Sequence, residues 1–171
     1  MKLLIQLSSV FTVILRFLPT ELSHMLALEG LKIITYMGFK IKPTHTEVST
    51  VLGIDFVNGL GLAAGLDKNG DYINCLASLG FGFLEIGTVT PKPQYGNKKP
   101  RLFRIRSKRA LVNNMGFNNK GVDYLVNKVR KSNAGIPLGI SIGKNFNTPL
   151  ESAIDDYLIC LSKVYKVADY I

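Results

Sequence analysis

Gly59-Leu60-Gly61-Leu62-Ala63-Ala64-Gly65-Leu66-Asp67-Lys68-Asn69-Gly70 is the stretch on which the reading of the chain turns. It opens as a small apolar run, short enough for a buried strand, and ends in Asp-Lys-Asn-Gly, which breaks regular structure. Gly and Ala leave no side chain in the way, so a flat ring or a phosphate can approach the backbone closely. Lys68 then stands as a point charge at the rim of that approach. The same residues also suit a tight strand-to-helix turn with a solvated lysine, and composition alone leaves the two readings level.

Outward from this stretch a regular alternation sets in. Leu62 to Ala64 reads as a first strand, Asp71 to Leu79 as a helix closed by Gly80, and Phe83 to Thr88 as a second strand. A long insertion follows. Then come a helix over Gly121 to Lys131, with Val122, Leu125, Val126 and Val129 on one side, and a third strand from Leu138 to Ile142. Thr148, Pro149 and Glu151 fit the cap, first-turn and capping-box positions of another helix. Its spacing predicts a buried stripe of Leu150, Ala153, Ile154, Tyr157, Leu158, Leu161 and Tyr165. Ala168 to Ile171 begins a fourth strand.

Such repetition defines an α/β fold on a parallel sheet, either open and doubly wound or closed as a barrel. Three units and one started strand amount to about half of an eight-fold barrel. Buried parallel strands with an open side leave backbone donors and acceptors unpaired. Residues 59–171 are therefore expected to be the first part of a (β/α)8 TIM barrel, truncated at the fourth strand.

Ahead of the alternation lie two apolar segments within residues 1–39. Leu3 to Leu18 is broken by Gln6, Ser8, Ser9, Thr12 and Arg16, and is short for a membrane span, which needs about 20 predominantly apolar residues. A secretory signal would fit Lys2, but Pro19-Thr20-Glu21 stands where a small-x-small cleavage site is needed. A helix lying on a membrane surface suits the run better. The second helix, from Pro19 or Thr20 to Gly38, carries Leu22, Met25, Leu26, Leu28, Ile33 and Ile34. Together the two read as a helical hairpin with a greasy groove for a membrane, or as helices packed on the body. Residues 40–58 form a polar linker, Lys40 to Ser49, and a small hairpin of Thr50–Leu52 and Ile54–Val57 around Gly53.

The 171 residues suit one domain, and 47% hydrophobic against 19% charged residues excludes a disordered tail. The net charge of +9 is concentrated: nine Lys and Arg lie between Glu85 and Asp123 with no acidic residue among them. Such a block can serve a polyanion, an anionic lipid headgroup or a phosphorylated small molecule, and is also common as a solvated loop. Cys75 and Cys160 are far apart with no CxxC pair, which argues against a disulfide framework or a metal site. His24 and His45 lack a second ligand at metal spacing and read as structural.

In parallel architectures the ligand sits at the carboxyl ends of the strands. Lys68 follows strand one, Thr88 ends strand two, and Gly143-Lys144-Asn145 follows strand three. The insertion contains Leu111-Val112-Asn113-Asn114-Met115-Gly116-Phe117-Asn118-Asn119, whose amides suit a planar, carbonyl-rich ring. A dinucleotide fingerprint, Gly59-x-Gly61-x-x-Ala64 with Glu85 downstream, matches formally. It fails in context, because Asp67-Lys68-Asn69-Gly70 occupies the place where its helix should open.

GLAAGLDKNG, EIGTVTPKPQYGNKKPRLFR, NNMGFNNKGVD and GISIGKNFNTP, in this order and spacing, resemble the front half of class 2 dihydroorotate dehydrogenase. The resemblance runs from about Gly59 to Ile171, and the N-terminal helices resemble that class's membrane extension. It implies a TIM barrel holding FMN, with dihydroorotate oxidised to orotate by proton loss at C5 and hydride transfer from C6. Electrons would leave to a quinone through the N-terminal helices, in de novo pyrimidine synthesis, at the cytoplasmic face of a bacterial inner membrane. Position by position it implies that Ala64, Gly65, Leu66, Asp67, Lys68 and Thr88 contact FMN. Lys68, Asn113, Asn114, Met115, Gly116 and Phe117 would meet the substrate. Nucleic acid is not an implied partner, and no metal is implied.

Three departures stand out against that family. Asn114 replaces an arginine of the substrate loop, removing a fixed charge near an anionic site. Ser141 stands where the family has asparagine, and a hydroxyl cannot make both amide bonds. The family's catalytic serine lies past the next strand, beyond Ile171, so this chain by itself is expected to lack the general base. The competing readings are a non-catalytic membrane-binding remnant and a different flavin- or phosphate-binding barrel.

Overall fold

One parallel sheet carries the molecule, and its strands lie side by side in chain order. A computed structural model of the chain describes residues 11–41 and 47–171. Residues 11–15 are helical, and helix α1 spans Thr20–Tyr36. An antiparallel hairpin, β1 (Ser49–Val51) and β2 (Ile54–Phe56), leads into β3 (Gly61–Leu62) and helix α2 (Ile73–Ala77). Strand β4 (Phe83–Val89) is followed by a second hairpin, β5 (Leu102–Ile105) and β6 (Ala110–Asn113). Helix α3 (Val122–Arg130), strand β7 (Leu138–Ile142) and helix α4 (Ala153–Val164) complete the order.

β3, β4 and β7 pair in parallel in that order. The chain's last residues continue the sheet: Tyr170 bridges Gly139 in parallel, and the Ile140 N–H donates to the Tyr170 carbonyl at 3.1 Å. The expected fourth strand is thus present as this short pairing. Among the described strands the order never reverses, whereas a doubly wound sheet reverses at its ligand crevice. Consistent with that, α2 does not begin until Ile73, well beyond Gly59–Ala64, and no dinucleotide turn forms.

The third strand is found at its expected bounds, and α3 buries Val122, Leu125, Val126 and Val129 as its spacing predicts. The small hairpin also forms where expected. Leu52 and Gly53 both take positive φ, 51° and 81°, as a tight two-residue turn that follows the strand twist requires. Leu84, Ile86, Leu125 and Ile140 are all but sealed from solvent at the centre of the core. Each such side chain contributes about 1.5–3 kcal/mol by burial.

Three expectations are corrected. The first strand covers Gly61–Leu62 rather than Leu62–Ala64 and ends before the two alanines. Thr148 does not cap a helix. Its hydroxyl donates to Asp156 at 2.7 Å, a 3-10 turn runs over Leu150–Ser152, and α4 begins only at Ala153. The stripe Leu150, Ile154, Tyr157, Leu158, Leu161 and Tyr165 is exposed, while α4 turns Asp156, Cys160 and Val164 into the core. That helix is apolar on more than one face, so periodicity alone could not choose between them.

Of the N-terminal segments, α1 lies where the second helix is expected. Leu28 is its buried apolar anchor, while Leu22, Met25 and Ile33 are exposed. The start of the first apolar run and half of the linker, His45 included, lie outside the described residues.

Candidate functional site

The turn after β3 is sewn onto the end of β4. The Gly65 N–H donates to the Gly87 carbonyl at 2.8 Å, and the Gly87 N–H donates to the Asp67 carbonyl at 3.0 Å. This lays Ala64, Gly65 and Leu66 beside Thr88 at the carboxyl end of the sheet. Gly87 is required there: its φ is +107°, and a Cβ would collide with the Ser141 carbonyl. Gly65 has φ +109°, and a Cβ on it would point into open space. The backbone is therefore bare on its cavity side, as the Gly-Ala run predicts.

Asp67 does something different from its neighbours. Its carboxylate is buried and accepts the N–H groups of Tyr72 (2.7 Å), Asp71 (3.1 Å) and Asn69 (3.2 Å), fixing the entry to α2. Burial pushes its pKa up, opposed by those three amides. Lys68 points the other way. Its ammonium donates to the Gly65 carbonyl at 2.5 Å, and burial, with the Arg101 charge next in weight, pulls its pKa below the ordinary lysine range.

The Asn113–Phe117 loop closes the opposite wall. Its carbonyls are held from behind: Gln94 Nε2 donates to Gly116 at 3.0 Å and Asn119 Nδ2 donates to Phe117 at 2.7 Å. The Asn97 N–H donates to Met115 at 3.0 Å. Asn114 is tied down as well, since Asn97 Nδ2 donates to its Oδ1 at 2.7 Å and its carbonyl at 3.0 Å. The loop is thus anchored through Asn114 by an amide pair. Ser141 meets the Thr88 hydroxyl at 2.9 Å, so these two hydroxyls satisfy each other.

Between the two walls lies a cavity of about 610 Å³. Ala64, Gly65, Leu66, Lys68, Thr88, Asn113, Asn114, Met115, Gly116 and Phe117 all line it. Of the residues that the family resemblance assigns to the cofactor or the substrate, Asp67 alone is missing from the lining. Gly143-Lys144-Asn145 lies at the same end of the sheet but outside that wall. There Asn145 Nδ2 bonds Thr90, Lys92 and Gln94, and Lys144 Nζ donates to Thr148 at 2.9 Å.

Three lining residues escaped the sequence reading: His24, Leu102 and Leu111. Leu102 and Leu111 come to the cavity through the β5–β6 register, which puts them with Asn113 on one face. His24 had no sign in the sequence. It arrives on α1, and burial, reinforced by the Lys68 charge, pushes its pKa down, so the imidazole is neutral at pH 7. His24 is thus part of a cavity wall rather than merely structural. Lys68 is the one ammonium or guanidinium among these lining residues.

A single-cation cavity at the carboxyl ends of parallel strands, walled by a glycine turn and an amide loop, lies where ligand sites are found in α/β proteins built on a parallel sheet. The model of the family described as dihydroorotate dehydrogenase matches residues 47–171, and the chain belongs to that family. It is 56% identical over 154 residues to a dihydroorotate dehydrogenase (quinone) of Acinetobacter baylyi, covering 90% of this chain and 46% of that one. It is 57% identical over 160 residues to the protein of the same name from Cellvibrio japonicus, with the same coverage. Among solved structures, the Eimeria tenella enzyme in complex with ferulenol superposes with a TM-score of 0.78 at 36% identity, over 88% of this chain and 42% of that one. The chain spans about half the length of the curated relatives it matches.

Proposed function

We propose that this chain supplies the first half of a site in which dihydroorotate is oxidised to orotate through FMN, with a quinone as final acceptor, in pyrimidine biosynthesis. The observation that carries the reading is convergence. Ten residues from the glycine turn, the end of β4 and the amide loop line one cavity with a single ammonium. The residues present suit a flavin: the bare face over Gly65 admits a flat ring, and the Lys68 ammonium, Thr88 hydroxyl and Asn113 amide can meet its carbonyl edge. FMN, when bound, supplies a hydride acceptor.

The protein's own part is placement. Asn113 and Asn114 offer donors to the substrate's carbonyls and carboxylate, and Lys68 adds a fixed positive charge for an anionic ligand. Leu102, Leu111 and Phe117 give one side of the cavity an apolar lining. The general base is assigned to a segment beyond Ile171, so the 171-residue chain by itself does not turn over. The complete fold is a closed (β/α)8 barrel.

In this reading the protein sits at a membrane surface through its N-terminal helices, on the cytoplasmic side of the inner membrane in a bacterium, where a quinone can reach the site. Ile14, Phe17, Met25 and Ile33, all in the N-terminal helical segments, are each half or more exposed, which supports that reading. No described helix is long and apolar enough to cross a membrane.

The test is a visible absorption spectrum of the purified chain after incubation with FMN and desalting. A retained flavin band that disappears in Lys68→Ala supports the site. Bleaching of that band by dihydroorotate, with turnover by the 171-residue chain, would overturn the assignment of the base to a later segment.

A further inference from the structure

One of the nine cations between Glu85 and Asp123 is turned inward. Arg101 is only 6% exposed, and its guanidinium is shared between two parts of the chain. On one side Nη2 and Nε donate to the Glu21 carboxylate of α1, at 2.7 and 3.4 Å. On the other, Nη1 donates to the carbonyls of Tyr95 and Asn97, the latter at 3.2 Å. A buried cation has to be paired and hydrogen-bonded, and the planar guanidinium fork meets both needs at once, where an ammonium is a single point.

The segment that Arg101 holds is the backing of the Asn113–Phe117 loop. Gln94 and Asn119 exchange backbone hydrogen bonds at 3.0 and 2.9 Å, and the Asn97 N–H donates to the Met115 carbonyl at 3.0 Å. Asn97 Nδ2 donates to both the Oδ1 and the carbonyl of Asn114. The Arg101 carbonyl closes the circuit by accepting the Asn114 N–H at 2.8 Å. The two layers touch closely: a Cβ on Gly96 would strike the Met115 carbonyl and Arg101 Nη1. Neither Asn97 nor Arg101 lines the 610 Å³ cavity, yet Asn113 through Phe117 all do. The facing wall is held separately, by the bonds between the Gly65 turn and the end of β4.

We infer that Arg101 and Asn97 are positioning residues for the dihydroorotate site: they set where the Asn113–Phe117 amides stand, by tying that loop through Glu21 to the helix that carries His24. The inference rests on the function proposed above and adds to it two residues that touch neither substrate nor cofactor. An amide fixed from behind presents its free edge to a ligand without first losing conformational freedom, so the support is felt as ligand affinity. Because the Gly65 turn has its own anchor, loosening this support weakens the ligand that the amide loop holds and spares the flat ring seated on the turn.

Two variants of the full chain separate positioning from simple support of the fold. Arg101→Lys keeps the charge and can still meet Glu21, but one ammonium cannot also hold both loop carbonyls. Asn97→Ala leaves the ion pair intact and releases Asn114. Three quantities are measured on each: flavin retained after incubation with FMN and desalting, orotate affinity from the shift of the flavin band, and amide exchange by NMR. The expected result is wild-type flavin retention with orotate binding weakened about tenfold in both variants. Exchange at the Asn114 amide quickens about tenfold while α3 is unchanged. If both variants bind orotate as tightly as wild type and Asn114 exchanges at the wild-type rate, the positioning role is overturned. Loss of flavin and orotate together, with α3 exchange quickened as well, is a fold-wide effect and overturns it equally. A wild-type chain that does not respond to orotate overturns the proposed function instead, and Asn114 exchange in the two variants then decides by itself whether the loop is held in this way.

Discussion

Asp67 holds three backbone N–H groups on one carboxylate, which makes it the structural keystone of a turn whose other residues face a cavity. Asp67→Ala strands buried donors, and each unsatisfied donor costs about 1–3 kcal/mol. The urea midpoint should therefore fall by an amount equivalent to about 3 kcal/mol, with Asp67→Asn clearly milder because an amide oxygen can still accept. Equal midpoints for wild type and Asp67→Ala would contradict that role. Cys75 and Cys160 make a simpler case. Burial pushes both thiols up to about 11, so a thiol reagent at pH 8 should label neither in the native chain and both in urea. Fast native labelling of either would show that the core opens there.

At the scale of elements, α1 is fastened to the body by polar contacts more than by its apolar face. Glu21 pairs with Arg101, the Tyr72 hydroxyl donates to Glu29 at 2.6 Å, and Thr35 meets Ser78 at 3.2 Å. The Arg101 hydrogen bond, above all, holds Glu21 below the ordinary carboxylate range. A carboxylate depressed in the folded state contributes stability that is present above its unfolded value of 4.5 and is lost as pH falls through the folded value. Amide hydrogen exchange in α1 should therefore quicken, relative to α3, as pH is taken from 6 to below about 4 after correction for intrinsic rates. Glu21→Gln should remove most of that pH dependence. Its persistence in the variant would move the cause elsewhere.

The same scale shows where sequence stops being informative. β4 and β7 were legible because parallel strands buried on both faces read as continuous apolar runs. The glycine turn was legible because Gly65 and Gly87 occupy backbone conformations that other residues rarely take. The β5–β6 hairpin was not, since Leu102-Phe103-Arg104-Ile105 sits among lysines and arginines and Arg106–Arg109, the residues joining it to β6, carry no Asn-Gly or Asp-Gly turn signal. His24 was missed because its place in the cavity depends on how α1 docks, a tertiary contact with no local pattern. Asp67 was read as a ligand contact with its neighbours, because adjacency in sequence does not reveal which way a side chain turns.

The molecule as a whole presents a conflict between its core and its surface. Leu150, Ile154, Leu158 and Tyr165 are each more than half exposed along α4 and the turns at its two ends, a contiguous apolar stripe on a helix whose other face is in the core. The sheet adds to this, since β3 pairs only with β4 among the described strands and its outer side offers unpaired backbone groups. Relatives about twice as long have further chain that can cover such surfaces, whereas this chain, studied alone, has to find cover in another copy or in an aggregate. Size-exclusion chromatography of the purified chain should show concentration-dependent association and binding of an apolar dye. Ile154→Lys together with Leu158→Lys should restore a monomer and cut dye binding. Their effect on the urea midpoint should be within about 0.5 kcal/mol, because neither side chain is in the core. The same pair placed at Cys160 and Val164, the buried face, should unfold the chain. A wild-type chain that stays monomeric and binds no dye would mean that the α4 stripe is already covered.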